Sequence, residues 1–178
     1  MPITYTRGDA TKPVGEGVKI IPHCVNTVGG WGAGFVLALS KRWRAPESRY
    51  RKWFREGTNA GFELGATQLV LVEEEPDQIW VANMVAQVGY IRKNQQQEWT
   101  DGTIESPIRY EALEKCFATV AEQAVRRNAS IHMPRVGAGL ARGDWPTIEK
   151  IVEKTLKGLS VTVYDLSKSS MPPKMSNA

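Results

Sequence analysis

Cysteine and histidine are scarce in this 178-residue chain, with two of each: Cys24, Cys116, His23 and His132. Two thiols cannot build a disulfide framework, and neither lies in a CxxC pair. Two Cys and two His at these spacings match no zinc finger, so no metal and no organic cofactor is expected. The thiols read as free and buried in a reducing compartment. No apolar run approaches the ~18 residues that a membrane span needs. The N-terminal MPITYTRGDATKP lacks the basic-then-apolar order of a secretory leader, so a cytoplasmic location is expected. Charge is nearly balanced, 23 Lys+Arg against 19 Asp+Glu, and a net +4 hints at an anionic partner without specifying one.

What is present is an ordinary globular composition, 42% hydrophobic and 24% charged, in a length suited to one domain. Short β-rich apolar runs alternate with helical patterns, which predicts an α/β domain around a sheet. Strands are expected at 3–6, 18–22, 67–72, 79–85, 130–134 and 160–166. Several of these (QLVLV, IWVANMV, VTVYDL) are nearly continuous apolar runs, as in strands covered on both faces. Helices are expected at 34–43, 47–56, 107–127 and 145–157. Ser106 and Pro107 read as the cap and first residue of the third helix, and Asp144 as the cap of the last. The polar stretch 90–105 reads as a long binding loop. The domain is placed at 1–166, and the Ser/Pro-rich 167–178 reads as an unpacked tail. A monomer is the default expectation.

Two strand-to-helix turns are rich in glycine. NTVGGWGAGF holds Gly29, Gly30, Gly32 and Gly34, and MPRVGAGLARGDW holds Gly137, Gly139 and Gly143. Glycine lets backbone N–H groups approach a ligand with no Cβ in the way, and a helix N-terminus behind adds unpaired donors. Such turns also use glycine for steric reasons alone. Two at one end of a sheet point more strongly to a clamp for a diphosphate. Neither turn has the lysine of a P-loop. A dinucleotide site needs an acidic residue about 20 positions after its glycines, and the chain instead enters the basic KRWRAPESRYRKWFRE.

GDAT, HCVNTVGGWGAGFVLALSKRW, VANMVAQ, IRYEALEKC, HMPRVGAGLARGDW and VTVYDL occur in this order. Together they resemble the macrodomain family, closest to bacterial relatives of the terminal ADP-ribose protein glycohydrolase and of the yeast ADP-ribose-1″-phosphate phosphatase. The resemblance runs over about 3–166. It implies a three-layer α/β/α fold with a central mixed sheet of about six strands and an ADP-ribose cleft at one end. It also implies a hydrolase that removes mono-ADP-ribose from acidic side chains of a modified protein. The alternatives are an ADP-ribose 1″-phosphate phosphatase and a non-catalytic ADP-ribose reader.

Carried over by the same resemblance, Asp9 accepts from the adenine amino group with Ala10 beside it; otherwise it closes an Asx turn. Asn26 holds the distal ribose, or else satisfies its own loop. Gly32, Ala33 and Gly34 line the ribose and one side of the diphosphate, and Val136, Gly137, Ala138, Gly139, Leu140 and Ala141 wrap the other. Catalysis is then largely positioning of a trapped water. The animal glycohydrolase has a lysine where this chain has Ala86 or Gln87, and an aspartate where it has Ala141, so no lysine-dependent covalent route is implied. Asn26, Gln87 and Asp144 are the catalytic candidates, although Asp144 reads first as a helix cap. His23 is weighed as a general acid but reads first as structural, and His132 more so.

The run from 41 to 55 carries seven Lys/Arg with Trp43, Tyr50, Trp53 and Phe54 among them. Nucleic-acid binding is the less favoured reading. Tyr50, Trp53 and Phe54 fall at helical spacing and are expected on one buried face, with the charges solvated outside.

Overall fold

The computed structural model describes residues 2–91, 105–139 and 141–166. The expected tail at 167–178, most of the 90–105 loop and Leu140 lie outside the described residues. Six strands form one sheet: β1 (Thr4–Arg7), β2 (Lys19–Asn26), β3 (Thr67–Glu73), β4 (Ile79–Gln87), β5 (Ser130–Met133) and β6 (Val161–Asp165). Their order is β1-β6-β5-β2-β4-β3, parallel throughout except for the antiparallel β3–β4 edge. Helices α1 (Phe35–Arg42) and α2 (Ala45–Glu56) follow β2; α3 (Tyr110–Arg127) follows β4, and α4 (Trp145–Thr155) follows β5.

The alternation of side chains along β2 and β4 makes the three layers. Ile20, Ala82, Met84 and Ala86 pack with Leu113, Phe117 and Val120 of α3 and Ile148 and Val152 of α4. Ile21, Val25, Val81 and Val85 point the other way, onto Leu39 of α1 and Tyr50 of α2. Strands buried on both faces need apolar residues at every position, which is why their sequences show no period of two. Leu113, Phe117, Val120 and Ala124 of α3 are all fully buried, and burial of each large side chain stabilises by about 1.5–3 kcal/mol. No helix among the described residues is long and apolar enough to cross a membrane.

Two elements differ from their sequence reading. β2 continues past Pro22 to Asn26, because the buried polar His23 finds a buried polar partner on the neighbouring strand, its Nε2 lying 2.5 Å from Asn83 Oδ1. Helix α3 starts at Tyr110 rather than at Pro107. The preceding residues stay extended against the end of β4: Val88 N–H donates to Pro107 O, Arg109 N–H donates to Ala86 O, and Gln87 bridges Ile108.

The topology fixes where a ligand can sit. From β2 the chain passes to α1 on one face of the sheet; from the adjacent β5 it passes to α4 on the other. Neighbouring parallel strands whose connections diverge in this way leave a crevice beyond their carboxyl ends.

Candidate functional site

The expected site segments all meet at that end of the sheet. Asp9 and Ala10 follow β1, Asn26 ends β2, Gln87 ends β4, and the 134–144 loop follows β5. The two glycine-rich loops leave from the adjacent strands β2 and β5, on either side of the crevice.

Asn26 organises the first loop. Its Oδ1 accepts from Val28 N–H (3.1 Å) and Gly30 N–H (2.9 Å), and its Nδ2 donates to Gly30 O (3.0 Å). The buried Tyr50 hydroxyl donates to Asn26 O at 2.6 Å and lies 3.1 Å from Oδ1. Burial pushes the Tyr50 phenol up to about 12, which keeps it a donor. From outside, Arg51 Nη1 donates to Gly29 O at 3.0 Å, and the Phe54 ring covers Gly29. One Nδ2 proton of Asn26 remains unused among the described residues.

The second loop closes on itself. Gly143 N–H donates to Gly137 O (2.7 Å), Arg142 N–H donates to Gly139 O (3.0 Å), and the Ser106 hydroxyl donates to Ala141 O (2.7 Å). Val136 and Ala141 are buried, fastening the loop to the core. Arg135, just before it, is held by Asp165 in a two-point ion pair (2.6 and 3.0 Å) and lies over the rings of Tyr5 and Trp145. The ion pair holds the Asp165 carboxyl below its ordinary range.

The glycines divide into two kinds. A Cβ on Gly143 would meet Gly137 O at 2.5 Å, one on Gly29 would meet the Phe54 ring at 2.6 Å, and one on Gly30 would meet the Tyr90 ring at 2.9 Å. At Gly143 the obstacle is backbone and glycine is required by the fold; Gly29 also has a left-handed φ of 74°, and at Gly30 the space is filled by the Tyr90 and Asn26 side chains. Gly34, at φ 83°, is the residue before α1 and needs glycine for its backbone alone. Gly32 and Gly139 are different: among the described residues nothing lies within 4 Å of a Cβ at either, and neither has a left-handed φ. The described part of the fold gives no steric reason for their missing side chains.

The candidate catalytic residues stand unequally. Gln87 is half-buried, and its side-chain amide has no hydrogen-bond partner among the described residues. Asp144 caps α4, with Oδ2 accepting from Thr147 N–H (3.1 Å) and the Thr147 hydroxyl (2.6 Å). Asp9 Oδ1 accepts from the N–H and hydroxyl of Thr11 in a tight turn, and no bond falls on Oδ2 among the described residues. His23 is buried against Trp31 and Phe35, and desolvation pulls it down to about 4. His132 sits between the Ser130 and Tyr164 hydroxyls, each 2.7 Å away, and burial pulls it down to about 4 as well. Both imidazoles are neutral and belong to the core. Both thiols are free, Cys116 buried and Cys24 half-buried, and desolvation pushes Cys24 up and Cys116 up to about 11.

Sequence reasoning did not anticipate Tyr50, Arg51, Ser106 and Tyr90 as supports of the loops. Their contacts reach across 24, 22 and 35 residues for the first three, and no local pattern encodes such pairings. Phe54, expected on the buried face, is 38% exposed at the rim of the first loop.

No family model matches the chain. A macrodomain protein from Streptomyces coelicolor is 44% identical, with 92% of this chain and 98% of that one covered and a TM-score of 0.76. A protein of unknown function from Bacteroides thetaiotaomicron is 46% identical over 93% of this chain and 99% of that one, with a TM-score of 0.82. Thermosipho africanus DarTG, solved in complex with ADP-ribose, shares the fold at 15% identity and a TM-score of 0.61, over 86% of this chain and 39% of that one. Among curated proteins, the chromodomain-helicase-DNA-binding protein 1-like of Danio rerio is 27% identical over 91% of this chain, which spans only 15% of that protein's length. The ADP-ribose 1″-phosphate phosphatase of Meyerozyma guilliermondii is 24% identical, over 85% of this chain and 93% of that protein.

Proposed function

The chain belongs to the macrodomain family, and on that premise we propose that it is a hydrolase releasing mono-ADP-ribose from glutamate and aspartate side chains. The observation that carries this reading is the pair Gly32 and Gly139. They expose bare backbone on the two sides of the β2/β5 crevice, where a Cβ would meet nothing among the described residues. Backbone donors on two sides suit a diphosphate. ADP-ribose then lies along the strand ends, with adenine at Asp9 Oδ2 and Ala10. Gly32, Ala33 and Gly34 face Val136, Gly137, Ala138, Gly139 and Ala141 across the diphosphate, and Asn26 holds the distal ribose through the Nδ2 proton that no described residue takes up. The relatives solved with ADP-ribose or named for ADP-ribose 1″-phosphate support this ligand.

The reaction asks little of the side chains. Water attacks C1″ of the distal ribose, the C1″–O bond breaks, and its electron pair leaves with the carboxylate. The water gives up a proton to solvent, and free ADP-ribose results. A carboxylate with pKa about 4 departs without protonation, so two buried neutral histidines are no handicap. Gln87 orients the water through its unspent amide, and the clamp keeps water and C1″ in line. Asp144 contributes by fixing the start of α4 behind the second loop.

The test incubates a protein bearing mono-ADP-ribose on glutamate with the chain and follows the adduct by mass spectrometry. Release that is lost in Gly139→Val supports the hydrolase. A second reading, the 1″-phosphatase, is favoured by the phosphatase relative that the chain matches over 93% of its length. It predicts inorganic phosphate from ADP-ribose 1″-phosphate and an intact protein adduct. Tight ADP-ribose binding with neither product would leave a reader.

A further inference from the structure

We propose that the outward face of α2 docks the macromolecular part of the substrate, and that its partner is an acidic stretch of polypeptide flanking the ADP-ribosylated carboxylate. This rests on the hydrolase reading above and adds a specificity to it.

The first argument is the distribution of charge. Residues 41–56 hold seven basic and two acidic side chains, a net +5, whereas the rest of the chain holds 16 basic and 17 acidic. The whole positive excess of the protein therefore sits on one segment. Arg51 pairs with Glu47 and Lys52 with Glu56, but Lys41, Arg44, Arg49 and Arg55 have no acidic partner among the described residues. Arg44, Ser48, Arg51 and Arg55 recur at helical spacing, directly opposite the buried Pro46 and Tyr50. They form a stripe about 16 Å long, the span of about five residues of extended chain.

The second argument is position. With adenine at β1, the ligand's distal end reaches β2 and β4; α2 packs over β4 and the edge strand β3, and its Tyr50 reaches the end of β2 at Asn26. Arg51 and Phe54 of α2 touch Gly29 of the first loop directly. A chain attached at C1″ therefore leaves across this helix. The third argument is the rim. Val28, Phe54 and Tyr90 are exposed by 51%, 38% and 48% beside the same loop. A platform for single-stranded nucleic acid needs aromatic faces for stacking. Phe54 and Tyr90 offer such faces, so the choice of a polypeptide rests on the guanidinium groups, which pair with carboxylates, and on the substrate being a modified acidic side chain.

The test uses two synthetic peptides, each with one ADP-ribosylated glutamate, flanked by acidic residues in one and by Ser/Gly in the other. Release and affinity are measured with the wild-type chain and with a variant combining Arg44→Gln, Lys52→Gln and Arg55→Gln, none of which contacts the glycine loops. The expected result is a kcat/KM about tenfold higher for the acidic peptide, arising in KM and fading at high salt. The variant is expected to lose that preference while keeping its activity on the neutral peptide and its affinity for free ADP-ribose. Equal rates for the two peptides in the wild type, or a preference that survives in the variant, would overturn the proposal. If neither peptide is cleaved, the hydrolase reading has failed, and the affinities of the same peptides still decide the docking surface. A fluorescent single-stranded oligonucleotide serves as the competitor. If it binds more tightly than the acidic peptide and is lost in the variant, the face belongs to nucleic acid and the peptide proposal falls.

Discussion

Gly32, Gly139 and Gly143 lie in similar turns yet respond to different demands. Gly139→Val is expected to lower ADP-ribose affinity at least tenfold, by calorimetry, while the unfolding free energy moves by no more than about 0.5 kcal/mol. Gly143→Ala is expected to behave in the opposite sense. Its methyl would lie 2.5 Å from Gly137 O, a clash costing about 2 kcal/mol or more in denaturant unfolding. Gly34 makes a poor probe, because its φ of 83° penalises any side chain whether or not a ligand binds. Gln87→Ala is expected to reduce the rate of release by about 10- to 100-fold, with ADP-ribose affinity unchanged. A parallel loss of affinity would place Gln87 in binding instead. The sequence shows that both turns are rich in glycine, but not which glycines answer to the fold. That division depends on Phe54, Tyr90 and Gly137 O being brought close by the tertiary structure.

At the scale of elements, Asp144 and Tyr50 separate support from chemistry. Asp144→Ala removes the cap of α4 and is expected to cost about 1 kcal/mol in urea unfolding, with release of ADP-ribose nearly intact. A loss of release without a loss of stability would give Asp144 a catalytic part. Tyr50→Phe deletes the hydroxyl bond to Asn26 O and leaves a buried carbonyl without that donor, at a cost of about 1–3 kcal/mol. The first loop then loses its brace, so both stability and ADP-ribose affinity should fall. All six strands and all four helices were legible from periodicity and caps, because runs such as QLVLV and the Leu113–Phe117–Val120 spacing are local signals. The ends were less so. The stretch before α3 carries a helix-start signature in Ser106 and Pro107, but the edge of β4 offers Ile108 and Arg109 backbone pairing, and Ser106 instead fastens Ala141.

For the molecule as a whole, acid sensitivity follows from the two core histidines. In the folded state burial holds each imidazole's pKa down at about 4, against about 6.5 when unfolded. The unfolded chain therefore takes up protons first as the pH falls. Their contribution is complete above about pH 6.5 and is lost progressively toward pH 4, on the order of 3 kcal/mol for each. Urea midpoints should be flat from pH 8 to 7 and drop steeply below 6.5, with a shallower drop in His132→Gln. Midpoints independent of pH down to 4.5 would contradict the burial of both rings. The layered architecture followed from the resemblance, whereas strand order is set by crossovers that no periodicity records.

That order has a consequence for how the protein assembles. The crevice exists only where β2 meets β5, a pairing of Lys19 with Ser130 and Ile20 with Ile131. These partners are separated by β3, β4 and three helices along the chain. Closing so long a loop is entropically costly and slow compared with the local β3–β4 hairpin. The ligand cleft is therefore among the last features to mature during refolding. Binding of ADP-ribose should recover with the slowest kinetic phase, after most of the helical signal has returned.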